Sequence, residues 1–371
     1  MATAPPRKPV RRANAADATV RAGLDRLVHA IDRELDRRRA DAQLETAGEP
    51  PVDIEQLSSV RGDLPALIGH GINAALRMAS TNRGDVRRLV RSGFNFLNTQ
   101  AKLGARTRAG QTRTDEFGFD EEWTEAWIPV FEWVYRNWWR VTAMGVENVP
   151  ATGRVLLVSN HAGVVPYDGA MIRAALYLEH PAKRHARALV LDSLMSLPVA
   201  SWFVRRSGNT LANIADAERL LRRDLPVLVF PEGSKGPGKL YRERYRLRRF
   251  GRGGFAEIAI RTQSPIVPVS VVGSEEIHPM LADIAPLAKL LGLPYAPITP
   301  TLPWLGPLGA VPLPTSWIIE FHEPISTTEY DSAHANDPAT VLALSDRVRD
   351  VIQKGVYRNL ERRGSVFAVS S

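Results

Sequence analysis

The chain of 371 residues contains no cysteine. That excludes disulfides, thiolate metal sites and a thiol nucleophile together, and it fits a reducing compartment without requiring one. No run of about 18 uncharged apolar residues occurs, so no transmembrane helix is expected. The basic, proline-bearing stretch from Met1 to Arg12 is followed by no apolar segment, so no secretory signal is expected. Acidic residues are outnumbered, 40 against 48 lysines and arginines, for a formal charge of +8. An excess of that sign favours an anionic partner: nucleic acid, an acidic membrane or a phosphorylated substrate. Hydrophobic content of 44% and charged content of 24% are ordinary globular values, and the length allows one large domain or two small ones.

Four regions follow from the pattern along the chain. Residues 1–15 read as a disordered basic tail. Residues 16–115 read as an α-helical extension: Val20, Leu24, Leu27, Val28, Ile31 and Leu35 share one helical face, and two further helical patterns follow a break at Gly48-Glu49-Pro50-Pro51. Three roles stay open for it: packing on the main domain, pairing with another copy, or lying on a membrane. Residues 120–330 alternate apolar runs with helical stretches, which indicates an α/β fold with a largely parallel sheet flanked by helices. Strands are expected at Val155–Val158, Ala188–Leu191, Val227–Phe230, Ile266–Val272 and Trp317–Phe321, with helices near 168–180, 213–223 and 253–262. Residues 331–371 form a closing helix after Pro338 and a tail.

Two stretches break the alternation. Trp123, Trp127, Trp133, Trp138 and Trp139 crowd together with Phe131 and Tyr135. Such rings suit a membrane interface, or a core helix packed on the sheet, or both on opposite faces. Residues 279–314 hold nine prolines among Leu, Ile and Trp304, a pattern that excludes regular helix and suggests a lid or binding loop for a greasy substrate.

The chemistry gathers at two strand ends. Val155–Val158 delivers Ser159-Asn160-His161-Ala162-Gly163-Val164-Val165-Pro166-Tyr167-Asp168-Gly169, and a helical run follows. In open α/β sheets ligands bind beyond the carboxyl ends of strands. A histidine and a carboxylate at such a junction can form a base and the partner that orients it. The bland alternative is a helix-capping aspartate beside an ordinary loop histidine. The second strand, Val227–Phe230, runs into Pro231-Glu232-Gly233-Ser234-Lys235-Gly236-Pro237-Gly238-Lys239, whose glycines let backbone N–H groups approach an anion while Lys235 and Lys239 supply charge. A strongly basic run continues to Arg252 and ends at a helix starting near Gly253, where an anion is favoured; a solvated face is the bland alternative.

Taken in order, these blocks resemble the glycerolipid acyltransferases, the superfamily of 1-acylglycerol-3-phosphate and lysophospholipid acyltransferases. Asn160-His161 and Asp168 resemble its first block, with six residues between His and Asp where the family has four; this longer block also resembles the mono- and diacylglycerol acyltransferase branch. Gly208 to Asn213 resembles the second block. Phe230 to Gly236 is similar to Phe-Pro-Glu-Gly-Thr-Arg-Ser, with Ser234, Lys235 and Gly236 at the last three positions. Val267-Pro268-Val269 matches the fourth, and Phe250 to Phe255 resembles the family's Phe-Lys-Lys-Gly-Ala-Phe with Arg252 on the second lysine.

The resemblance implies acyl transfer from an acyl-CoA or acyl carrier protein to a hydroxyl of a glycerol-based lipid, without a cofactor or metal. It implies His161 as general base and Asp168 as the group that fixes its tautomer. It also implies an acceptor site built from Asn160, Glu232, Gly233, Ser234, Lys235 and Arg252, with Asn160 or loop N–H groups supporting the oxyanion. The partners it implies are a lipid acceptor and a thioester donor at an anionic membrane surface, on the cytoplasmic face and peripheral. No nucleic-acid motif accompanies the basic run, so no nucleic-acid partner is expected. A non-catalytic lipid-binding protein of the same fold is the rival reading.

Overall fold

In a computed structural model the chain divides into two units, residues 1–64 and 65–371. The residues described are 114–367, except 166, 196–197, 292–294, 303–308, 310 and 332, with a few positions between 103 and 110. The basic tail, nearly all of the N-terminal extension, Pro166 and Trp304 lie outside them.

Among the described residues nine strands follow in order: β1 (Thr142–Met144), β2 (Val155–Ser159), β3 (Arg187–Val190), β4 (Thr210–Leu211), β5 (Pro226–Val229), β6 (Ile266–Val272), β7 (Ala282–Asp283), β8 (Pro297–Ile298) and β9 (Ile318–Phe321). Seven form one sheet in the order β1-β9-β6-β2-β5-β3-β4, and β7 and β8 form a separate ribbon. Within the large sheet only the β6–β9 pairing is antiparallel. The fold is therefore α/β with a largely parallel sheet. Every residue of β2 is buried, as a central parallel strand covered on both faces requires. Pro268 survives inside β6 because it sits at the one-residue offset between the Ile266–Ile325 bridge and the Val269–Phe321 pair, where a missing N–H costs no regular ladder bond.

Alternate residues of β2 enter two cores. Leu156 and Val158 pack with Leu220 and Leu221 of a helix at Ile214–Arg222, with Ala256 and Ile260 of one at Gly254–Thr262, and with Leu344, Val348 and Ile352 of the long helix Pro338–Arg363. The closing helix thus belongs to the same core as the sheet. Val155 and Leu157 pack on the opposite face with Met171, Ile172 and Leu176 of the helix Tyr167–Glu179, and with Tyr135, Trp139 and Trp317. Each fully buried large side chain contributes about 1.5–3 kcal/mol.

That second core assigns the aromatic stretch. Its helix, Glu121–Trp133, is started by Asp120, which accepts from the Trp123 N–H. Trp123, Tyr135 and Trp139 are buried, Trp139 stacks on Trp317 at 4.7 Å, and none of the five tryptophans is exposed. Side chains of three consecutive residues hook three consecutive carbonyls: Trp138 Nε1 donates to Pro312 O, Trp139 Nε1 to Leu313 O, and Arg140 Nη2 to Pro314 O. Trp123, Trp127 and Phe131 line the cavity, and Tyr135, Trp138 and Trp139 belong to or pack on the second core.

The region 279–314 needs a correction. It contains a helix, Ala285–Leu291, because Pro286 falls in the first turn, where its missing N–H has no intrahelical partner to lose. The strands expected at 188–191 and 227–230 each end one residue earlier. Leu191 and Phe230 lie just beyond them and line a cavity, which extends the apolar pattern past the sheet.

Candidate active site

His161 lies two residues beyond β2, and Asp168 is the second residue of the helix Tyr167–Glu179. The six intervening residues fold back so that His161 Nδ1 and Asp168 Oδ2 are 2.7 Å apart. The longer block therefore keeps base and orienter in contact. Asp168 is fully buried, and its Oδ2 also accepts from the Ala162 N–H at 2.8 Å while Oδ1 accepts from the Gly169 N–H. One carboxylate thus steadies both the ring and the loop carrying it. The ring stacks on Phe230 at 4.2 Å, which fixes its plane. With Nδ1 engaged, Nε2 is the nitrogen left for a substrate.

Glu232 braces the same loop from the other strand end. Its Oε1 accepts from the His161 N–H at 2.9 Å and its Oε2 from the Arg248 N–H at 2.7 Å. The side chain is fully buried and lies 3.4 Å from Lys239 Nζ, which is itself paired with Glu275 at 2.9 Å. Lys239 stays charged: burial works against it, but Glu275 and Glu232 more than compensate and hold it above the usual lysine range. Gly236, where the family has serine, leaves room for the histidine loop. A Cβ there would lie 2.6 Å from the His161 carbonyl oxygen.

Asn160 is also turned inward. Its Nδ2 donates to the Val271 carbonyl at 3.0 Å and its Oδ1 accepts from the Val271 N–H at 2.8 Å, clamping the histidine loop to β6. The expectation that Asn160 supports an oxyanion, and that Lys239 offers charge to a ligand, is not met, because both side chains are already consumed by protein partners. Glu232 likewise has both oxygens engaged within the protein, so its contact is with the histidine loop. Gly233, Ser234 and Arg252 line the cavity beside His161 and Lys235 does not; both of these cations are exposed.

That cavity has a volume of about 1450 Å³, above the roughly 300–1,000 Å³ of common small-molecule sites. Its walls are mostly apolar and include Trp127 and Phe131, Phe203, Phe230, Phe255 and Ile258. Tyr295 and Pro297 of the proline-rich region complete them, and the Tyr295 hydroxyl donates to the Val164 carbonyl at 2.6 Å. Burial, with the Asp168 charge nearby, holds that hydroxyl well above the ordinary tyrosine range. The sequence pattern did not single out Tyr295 or Arg173, also on the wall; a lone arginine on an otherwise apolar helix face was the available signal. Among the described residues one set, Glu121, Glu125 and His185, has its carboxylate and imidazole ligand atoms within 4.8 Å of one another, with both glutamates exposed.

A base–orienter pair beside a large apolar cavity is arrangement enough for transfer chemistry on a lipid. The sequence model of the family described as Acyltransferase matches residues 140–272, from the residues before β1 to the end of β6. Residues 140–272 thus form a domain of the Acyltransferase family. An uncharacterised protein of Mycobacterium tuberculosis is 43% identical to this chain over 339 residues, 89% of this chain and 93% of that protein. An uncharacterised protein of Mycobacterium leprae is 50% identical over 259 residues, 70% and 71% of the two chains. A crystal structure of the 1-acyl-sn-glycerophosphate acyltransferase PlsC from Thermotoga maritima aligns with a TM-score of 0.41 and 18% identity, covering 76% of this chain and 99% of that one.

Proposed function

We propose that this acyltransferase moves a fatty acyl group from an acyl thioester, acyl-CoA or acyl carrier protein, to a hydroxyl of a glycerol-based lysolipid. The observation that carries the reading is the 2.7 Å His161–Asp168 contact at the wall of a cavity of about 1450 Å³. His161 Nε2 takes the proton of the acceptor hydroxyl as its oxygen attacks the thioester carbonyl. Asp168 keeps the proton on Nδ1 and offsets the imidazolium charge. As the tetrahedral intermediate collapses, the C–S bond breaks and the imidazolium proton goes to the leaving thiolate. No protein side chain need be acylated, so donor and acceptor react directly. The acyl chain is accommodated by the apolar walls.

A phosphorylated acceptor, 1-acylglycerol-3-phosphate or another lysophospholipid, is favoured by Arg252 on the cavity wall and by the excess of cations. The outward Lys235 favours the second reading, a neutral mono- or diacylglycerol acceptor. The test is acyl transfer by purified protein with labelled acyl-CoA and each acceptor in turn. Arg252→Ala is expected to raise the apparent KM for a phosphorylated acceptor roughly tenfold or more, at about 1.5–3 kcal/mol per charged hydrogen bond, and to leave a neutral acceptor unaffected. Transfer only to monoacylglycerol or diacylglycerol would replace the first reading by the second. We place the reaction at the cytoplasmic face of an anionic membrane, to which the protein binds peripherally. Exposed Leu191, Trp202 and Ile214 beside the cavity support this, together with the net positive charge. No described helix is long and apolar enough to cross a membrane.

A further inference from the structure

The helix Tyr167–Glu179 turns one stripe to the cavity: Gly169, Ala170, Arg173, Ala174 and Tyr177. The spacing is that of one helical face, and all but one of its members suit an apolar wall. Arg173 is the exception. It lies five residues beyond Asp168, so about 7.5 Å further along the helix axis. Its Nε donates to the Ala186 carbonyl at 2.8 Å and its Nη2 to the Ser207 carbonyl, which holds the guanidinium in one orientation. Among the described residues, no carboxylate is in ion-pair contact with it, and its Nη1 has no hydrogen-bond partner.

Its surroundings make that state unusual. The neighbouring buried Arg187 is neutralised by Asp115 at 2.7 Å, and the buried Arg206 lies 3.6 Å from Asp120. Glu125, an acid at this end of the cavity, accepts from the Tyr177 hydroxyl at 3.0 Å and is about half exposed. His185 adds no cation: burial, reinforced by the Arg173 charge, pushes it down to about 4. Burial, with Arg187 nearby, also lowers Arg173 to about 10, which leaves it charged at neutral pH. Arg173 is partly buried, and a fixed, charged fork whose vacant donor opens on an apolar cavity favours an oxyanion, since a charge-assisted hydrogen bond is strongest where water is displaced.

We propose that Arg173 anchors the oxyanion head, phosphate or carboxylate, of a single-chain lipid inside the cavity. This rests on reading the cavity as the lipid site. The lipid's chain lies along Trp127, Phe131 and Phe203, and its charge meets Nη1. Neither Lys235 nor Arg252 is needed for this contact, so the anchor sets which amphiphiles enter independently of the loop after β5.

Binding can be read without turnover. Hexadecyl phosphate, hexadecanoate and hexadecanol, each below its aggregation limit, are titrated into the full-length protein while tryptophan fluorescence is followed. Arg173→Met is expected to weaken both anions at least tenfold and to change hexadecanol little. Arg173→Lys keeps the charge without the fork and should fall between; it also shows that the cavity survives substitution. Whichever anion binds more tightly to the wild type identifies the head: phosphate for an acyl acceptor, carboxylate for a free fatty acid. Equal weakening of all three ligands in Arg173→Met, or no weakening of any, overturns the anchor. If the anchor fails in this way while His161-dependent acyl transfer persists, the function proposed above still stands.

Discussion

With Asp168 at 2.7 Å, the His161 ring has one nitrogen committed and the other turned to chemistry. His161→Ala is therefore expected to lower turnover by about 100- to 10,000-fold with an unchanged circular dichroism spectrum. Asp168→Asn should also be severe, since it keeps the shape but removes the charge that stabilises imidazolium. Near-wild-type turnover by a folded His161→Ala protein would remove the assignment. Gly236 allows a subtler experiment. Its backbone is in the ordinary right-handed region, so alanine is excluded by space alone: the added carbon meets the His161 carbonyl oxygen at 2.6 Å and the His161 Cβ at 2.8 Å. Gly236→Ala should displace the base, reducing kcat by tenfold or more while KM changes less, because misplacement by about 1 Å can cost on the order of 100-fold. A fall in kcat matched by a comparable rise in KM would point to a wider collapse of the loop.

Elements with strong local signals could be read directly from the residues. The run Ile266–Val272 is β6 to the residue, and Asp337-Pro338 starts the long helix as a cap followed by proline at its first position. What escaped were β1, β4, β7 and β8, each two or three residues long, too short to carry a pattern of their own and formed by pairing with other segments. At the site, the His161–Asp168 pair was legible from spacing and strand ends. The inward turn of Asn160 and Lys239 was not, since their partners Val271 and Glu275 arrive from β6 and the turn after it. The long helix carries a further consequence at its end. Arg363 donates to Glu276 at 2.6 Å, both buried, and the Tyr245 hydroxyl donates to the same carboxylate. Burial alone would raise the Glu276 carboxyl, but the charge and hydrogen bond of Arg363, with Tyr245, reverse this and hold it below its usual value. Its contribution to stability is thus present above the unfolded carboxylate value and lost as pH falls through the lower folded one. Arg363→Met should destabilise by about 3–5 kcal/mol at neutral pH, because it leaves Glu276 buried and uncompensated. Urea unfolding at pH 7 checks this; a loss under 1 kcal/mol would show the pair to be dispensable.

At the scale of the whole molecule, an excess of cations and exposed Leu191, Trp202 and Ile214 beside the cavity lead to a flotation experiment. Binding to anionic vesicles should exceed binding to neutral ones and weaken with salt, each lysine or arginine near the surface contributing about 1 kcal/mol. Trp202→Ala should reduce the salt-resistant part. Absence of binding to either vesicle would detach the protein from the membrane altogether. The hooks that join residues 138–140 to 312–314 bear on how the chain is made. Both Trp138 and Trp139 wait for carbonyls 174 residues downstream, and among the described residues β1 pairs only with β9. At roughly 5–20 residues per second, a ribosome needs on the order of 10–35 seconds to supply them. Through that interval the tryptophan-rich segment is outside the exit tunnel with its final partners unmade. A nascent chain arrested before residue 312 should be held by cellular chaperones, and the completed chain, with the helix Pro338–Arg363 in its core, should let them go.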